Sequence, residues 1–129
     1  MRASRVTVVS GGAGERLDHH LAELVLLAAP RFAPLHLDAR IGTARAVAIH
    51  ACQDVALTGA AGAILSLLAL GGPATGITTS GVRWALSDET LEPGSTRGIS
   101  NEIVSSPVRV RLEGGSLLAV GTRPLDRVD

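Results

Sequence analysis

Two clusters of residues in this sequence have types and spacings that could bind and move charge. The first is Gly11-Gly12-Ala13-Gly14, followed closely by Arg16, Asp18 and His19. A glycine turn between a strand and a helix is where phosphates settle on the exposed N–H groups of the helix start. An arginine fork matches phosphate oxygens, and a carboxylate can hold Mg2+ or orient that arginine. The same residues also have plain structural roles. Asp18 can cap the helix by accepting backbone N–H bonds, and the glycines can simply turn the chain. The dinucleotide fingerprint is not met, because Leu17 stands where its third glycine belongs, and no Gly-Lys-Ser/Thr of a P-loop follows. His19 and His20 project about 100° apart on a helix, a poor arrangement for sharing one ion.

The second cluster lies further along. Thr78-Thr79-Ser80-Gly81 precedes Val82-Arg83-Trp84, and a polar run, PGSTRGISNE at 93–102, contains Ser100 and Asn101. An exposed indole stacks on flat cations, and a serine–asparagine pair offers donors and acceptors to a heterocycle. The alternatives are a core-filling tryptophan, an ordinary strand end and a glycine-rich turn.

The rest of the composition narrows the classes. Twelve basic residues balance twelve acidic ones over 129 residues, so neither a dominant basic surface for nucleic acid nor a polybasic membrane patch is present. One phenylalanine and one tryptophan are too few for a stacking platform along a single strand. The single cysteine, Cys52, cannot form an internal disulfide. The longest apolar stretch, at 60–70, falls well short of the roughly 20 residues that span a bilayer. A cytoplasmic protein without membrane or nucleic-acid partners is expected.

These clusters need elements to position them. Residues 5–10, RVTVVS, read as a strand covered on both faces. A helix is predicted from Leu17 or Asp18 to Ala29, stopped by Pro30, and its apolar character on nearly all sides calls for burial. A second strand near 35–38 completes a strand–helix–strand unit. Two strands cannot bury that helix alone, so further chain, a partner subunit or an N-terminal half must cover it. From about residue 46 short apolar runs alternate with turns, the habit of a β-sandwich. The clearest predicted hairpin joins VRVRL at 108–112 to 116–120 through Glu113-Gly114-Gly115. The fold class is therefore an α/β fragment at 1–45 followed by an all-β sandwich at 46–129.

Four segments in order, SGGAGERLDHHLAEL at 10–24, ILSLLALGGPATGITTSGVRWAL at 64–86, LEPGSTRGISNEI at 91–103 and VRVRLEGGSLLAV at 108–120, resemble the thiamine pyrophosphokinase (thiamine diphosphokinase) family. The resemblance covers nearly the whole chain but only the second half of the family's length. Family members have an α/β domain for ATP and Mg2+, then a thiamine-binding β-sandwich, with an active site built between the subunits of a homodimer. The acidic Gly-Asp-x-Asp-Ser and Lys-Asp-x-Thr-Asp motifs of the first domain do not occur here.

The resemblance implies pyrophosphate transfer from ATP to the hydroxyl of thiamine, giving thiamine diphosphate and AMP. It implies that Gly14, Arg16, Asp18 and His19 face ATP, with Arg16 and Asp18 catalytic and Asp18 a Mg2+ ligand. Trp84 is expected to stack on thiamine, with Ser100 and Asn101 at its aminopyrimidine. Glu15 replaces a common glycine, Val82 a leucine, Ala69 and Ala85 prolines, and Ala63 an acidic residue. With one strong carboxylate candidate for Mg2+, the chain is expected to be inactive without an N-terminal half. Two alternatives stand beside this reading: a non-catalytic thiamine-binding module, and an interaction protein that docks through its apolar helix.

Overall fold

A computed structural model describes residues 5–10 and 16–128. The glycine turn, with Gly14 and Glu15, lies outside the described residues. The fold is mostly β-sheet with one short helix. The elements are β1 (Val6–Ser10), α1 (Leu17–Leu27), a 3-10 helix (Pro30–Leu35), β2 (Leu37–Ile41), β3 (Ala44–His50), β4 (Gln53–Gly59), β5 (Ile64–Ala69), β6 (Ala74–Ser80), β7 (Glu89–Leu91), β8 (Asn101–Glu102), β9 (Val108–Leu112), β10 (Ser116–Gly121) and β11 (Leu125–Arg127). One sheet has the order β1-β2-β3-β10-β5-β8, and the other β11-β4-β9-β6-β7. β1 and β2 run parallel, while β2 and β3 form an antiparallel pair. Residues 45 and 46, on either side of the boundary read from sequence, both lie within β3, which joins β2 on one side to β10 on the other.

Side-chain alternation builds three layers. On β3, Val47 and Ile49 enter the core between the sheets with Val55, Leu57, Ile77, Val110 and Leu117. Ala46 and Ala48 point the other way, where they pack with Leu27, Leu37, Ala39 and Leu118 beneath the helix. Successive strand residues face opposite sides of a sheet, so a strand covered on both faces is apolar throughout. β10 is such a strand.

Three expectations need correction. The predicted 108–120 hairpin does not form: β9 pairs with β4 and β6, whereas β10 pairs with β3 and β5 in the opposite sheet. The Gly114-Gly115 step crosses between sheets, and Gly115 takes a φ of 82° close against Pro73 and Ala74. α1 ends at Leu27, and Ala28 caps it. The helix is also buried on one side only. Leu27 and Ala28 are covered, but Leu17 is 70% and Val25 62% exposed, and Leu21 and Leu26 are exposed beside them. The layer beneath α1 covers one face of the helix, and no other element among the described residues covers its outer face.

The sandwich also buries His50 at the end of β3. Its Nδ1 lies 3.0 Å from the Ser116 Oγ, and burial holds its pKa below the usual 6.5. Arg127 and His36 disfavour the proton further, while the Leu27 carbonyl favours it without outweighing burial. The folded chain therefore binds this proton less readily than the unfolded chain. Stability from this residue is complete above about pH 6.5 and falls as the pH drops below it, with a slope of at most about 1.4 kcal/mol per pH unit. Urea midpoints between pH 8 and pH 5 should show that loss, and a His50→Gln variant should remove most of the slope in this window.

Candidate functional site

Residues 81–88 leave β6 as a loop, and two hydroxyls fix its course. The Leu86 N–H donates to Thr79 Oγ1 at 2.8 Å, and the Asp88 N–H donates to Thr78 Oγ1 at 3.0 Å. The expectation of a strand end there holds, but these hydroxyls also anchor the loop that carries the indole. Trp84 sits on that loop, 58% exposed, so it is not a core filler. Its backbone is held on both sides. The Asn101 Oδ1 accepts from the Trp84 N–H at 3.1 Å and from the Glu102 N–H at 2.9 Å, while its Nδ2 donates to the Trp84 carbonyl at 2.9 Å. An amide oxygen has two lone pairs and an amide nitrogen two hydrogens, so one N–H of Asn101 remains for another partner.

Ser100 plays a different part. Its φ of 59° lies in the left-handed region, which a serine adopts at a cost of about 1–3 kcal/mol. Its N–H donates to Ser66 Oγ on β5 at 2.9 Å, and its own hydroxyl has no partner among the described residues. Gly98, two residues earlier, accepts from the Leu67 N–H at 2.8 Å. A Cβ at Gly98 would stand 2.5 Å from the Leu67 carbonyl oxygen, so only glycine fits that approach. The loop is thereby pinned to β5 on both sides of Ile99.

Trp84, Arg97, Ile99, Ser100 and Asn101 line one cavity of about 250 Å³. Arg83 places its guanidinium carbon 5.0 Å from the centre of the Trp84 ring and pairs with Glu102 at 3.3 Å, while Arg97 pairs with Glu89. Thus Trp84, Ser100 and Asn101 come together, 16 and 17 residues of sequence apart, through a bridge between Val82 and Ile103 and the Arg83 N–H donating to the Glu102 carbonyl at 2.9 Å. Sequence reasoning missed Ser66, Arg83, Arg97 and Glu102, for which no local pattern exists. It also missed that Asn101 works mainly on the backbone of Trp84. Asn101→Asp keeps both acceptor bonds and loses the donor to the Trp84 carbonyl. It is expected to lower stability by about 1 kcal/mol and to broaden the ring's position, read as a lower Trp84 fluorescence anisotropy with little change in far-ultraviolet circular dichroism.

The other expected cluster stands apart. Arg16 precedes α1 and makes two hydrogen bonds to Asp18, both side chains being exposed. Asp18 lies in the first turn and does not cap the helix: the cap position is Arg16, with no side-chain cap bond. His19 is exposed on the same turn. α1 packs on β2 and β3, whereas β8 is the far edge of the same sheet. At about 4.8 Å per strand, the two clusters are roughly 15–20 Å apart or more within one chain. Among the described residues no three His, Cys, Asp or Glu side chains group as a metal site, and Asp18 alone does not make one. These residues therefore do not fit Mg2+ by themselves. A second concavity, of about 270 Å³, lies between the end of α1 and the turns at 70–73 and 115–116. Its lining, Val25, Ala28, Ala29, Leu70 and Pro73 among others, carries one polar side chain, Ser116, which already meets His50.

The indole cavity falls inside a segment with known relatives. Residues 49–117, more than half of the chain, match the family described as thiamin pyrophosphokinase, vitamin B1 binding domain. The chain belongs to that family. No curated protein matches it. Solved structures share its fold: the thiamine pyrophosphokinase of Bacillus subtilis (17% identity, TM-score 0.79) and that of Geobacillus thermodenitrificans (20%, 0.77). The chain is 94% and 95% covered in these comparisons, and it spans 57% and 55% of the two relatives. The thiamin pyrophosphokinase of Candida albicans matches at 10% identity with a TM-score of 0.67, over 94% of this chain and 45% of its own. Within the vitamin B1 binding domain, the cavity beside Trp84 is the one concavity described above that combines an exposed ring with free polar groups. No helix among the described residues is long and apolar enough to cross a membrane.

Proposed function

We propose that this chain supplies the thiamine-binding part of a cytoplasmic thiamine diphosphokinase. The exposed indole of Trp84, fixed by Asn101 and flanked by the free Ser100 hydroxyl, carries this reading. A flat cation gains stacking and cation–π attraction on the indole, together about 1.5–3 kcal/mol, and Ser100 adds a hydrogen bond. The reaction is pyrophosphate transfer from ATP. The thiamine hydroxyl oxygen bonds to the β-phosphorus, the α–β bridge breaks with its electrons leaving on AMP, and the hydroxyl proton is released. What this chain contributes is positioning, by holding the hydroxyl in line with the donor.

In this reading residues 1–45 belong to an α/β domain that holds ATP with its Mg2+, and 46–129 form the vitamin domain. Arg16, Asp18, Gly14 and His19 face the nucleotide, with Arg16 and Asp18 in catalytic roles. The distance between α1 and β8 supports a homodimer in which the nucleotide end of one chain meets the indole of its partner. The exposed apolar face of α1 supports a contact with a further part of the α/β domain, and the lone Asp18 carboxylate supports inactivity of the chain by itself. That same lone carboxylate also favours a second reading, a thiamine-binding module without catalysis.

Mixing the chain with a separately folded ATP-binding half of a relative decides between them. The kinase reading expects thiamine diphosphate and AMP to appear together from the mixture and from neither half alone. Thiamine binding without product in that mixture would leave the binding module.

A further inference from the structure

The charged side chains around the Trp84 cavity are paired with one another, and none offers a free carboxylate to a cation. The ion pairs described above join Arg83, Arg97, Glu89 and Glu102, so both of these carboxylates are already engaged. Arg83 pairs with Glu102 while lying over the indole, and Arg97 pairs with Glu89. Arg97 is the one charged residue in the lining itself. A positively charged ring entering the cavity therefore meets a guanidinium in the wall and no free carboxylate beside it. A ligand with a cationic ring and an anionic tail satisfies both the indole and the arginine.

We propose that this site takes a phosphorylated ligand, a flat heteroaromatic cation carrying a phosphate, in preference to the unphosphorylated cation, with Arg97 as the anion contact. The inference rests on reading the Trp84 cavity as the vitamin site. Arg97 is well placed for the task because its backbone is fixed. Its own N–H donates to Ser95 Oγ at 3.2 Å, and the next residue is tied to β5 through the Gly98 carbonyl. A guanidinium has five N–H donors, more than one carboxylate can accept, so Arg97 can reach a phosphate while keeping part of its bond to Glu89. Ser100 lines the same cavity, where its hydroxyl, without a partner among the described residues, is left for the ring system. Such a site retains the phosphorylated product longer than the substrate, which makes product release a point of control.

The experiment is titration of the full chain with thiamine and with thiamine monophosphate, following Trp84 fluorescence and heat. The monophosphate is expected to bind about tenfold more tightly. Arg97→Gln should weaken the monophosphate about tenfold and tighten thiamine about twofold, because a like charge has been removed. Arg97→Lys should keep part of the preference, and Glu89→Gln, which frees the guanidinium, should enlarge it. Equal or weaker binding of the monophosphate, or a preference that survives Arg97→Gln, overturns the proposal. If thiamine binds without that preference, only this inference falls. If neither ligand perturbs Trp84, the vitamin-site reading falls and this inference with it.

Discussion

Replacing Trp84 with alanine is expected to weaken thiamine binding by about 10- to 100-fold while leaving the melting temperature nearly unchanged. The two effects separate because the ring is exposed and touches the fold mainly through its backbone. Truncation removes the stacking surface and the cation–π attraction together, about 1.5–3 kcal/mol. The bonds from Asn101 reach only backbone atoms of residue 84 and survive the change. A surface truncation of this kind costs stability only about 0.5 kcal/mol or less. Trp84→Phe retains a smaller π-face and should recover part of the affinity. Calorimetric titration of the three proteins, beside thermal unfolding, measures both quantities. A large fall in melting temperature for Trp84→Ala would mean that the indole supports the fold, and equal affinities would mean that it does not meet the ligand.

Gly98→Ala is expected to have the opposite signature, a loss of both stability and binding. The added methyl would stand 2.5 Å from the Leu67 carbonyl oxygen and 3.0 Å from Leu91 Cδ1. The first of these is backbone in the middle of β5 and cannot rotate away. Either the strand or the loop must shift, at a cost of about 1–3 kcal/mol. The loop is the weaker partner, and moving it displaces Arg97, Ser100 and Asn101 at once. The melting temperature should drop by several degrees, and thiamine affinity should fall about tenfold even where the protein is fully folded. Gly72→Ala is the control: nothing lies within 4 Å of its added methyl, so neither quantity should change.

Much of this architecture was legible in the sequence, and the failures have physical causes. VRVRL at 108–112 alternates strictly, and β9 alternates buried and exposed in step. The neighbouring SLLAV reads as its hairpin partner because adjacent strands commonly pair. Its apolar residues on both faces were the contrary signal: they mark a strand in the middle of a sheet with cover on each side, as β10 is. The helix, apolar on nearly all sides, reads as buried, but its pattern states what a surface needs rather than what this chain provides. At the site, the types of Trp84, Ser100 and Asn101 pointed to one another, and they do share a cavity. The division of labour between them was hidden. Asn101 bonds to backbone atoms 17 residues away, and the strain at Ser100 is a property of φ, neither of which residue identity reveals. Arg97 and Arg83 escaped notice because an arginine in a polar loop has no pattern to distinguish a ligand contact from a solvated surface.

The central claim is that the vitamin lies on the indole of Trp84 between Arg97 and Ser100. Nuclear magnetic resonance of the labelled chain tests it residue by residue as thiamine is added. The account predicts saturable shifts at the Trp84 indole N–H and the backbone amides of Arg97, Ile99 and Ser100, with those of Val25, Ala28 and Gly72 unmoved. Shifts confined to the apolar concavity beside α1, with the indole signal unchanged at saturation, would contradict it.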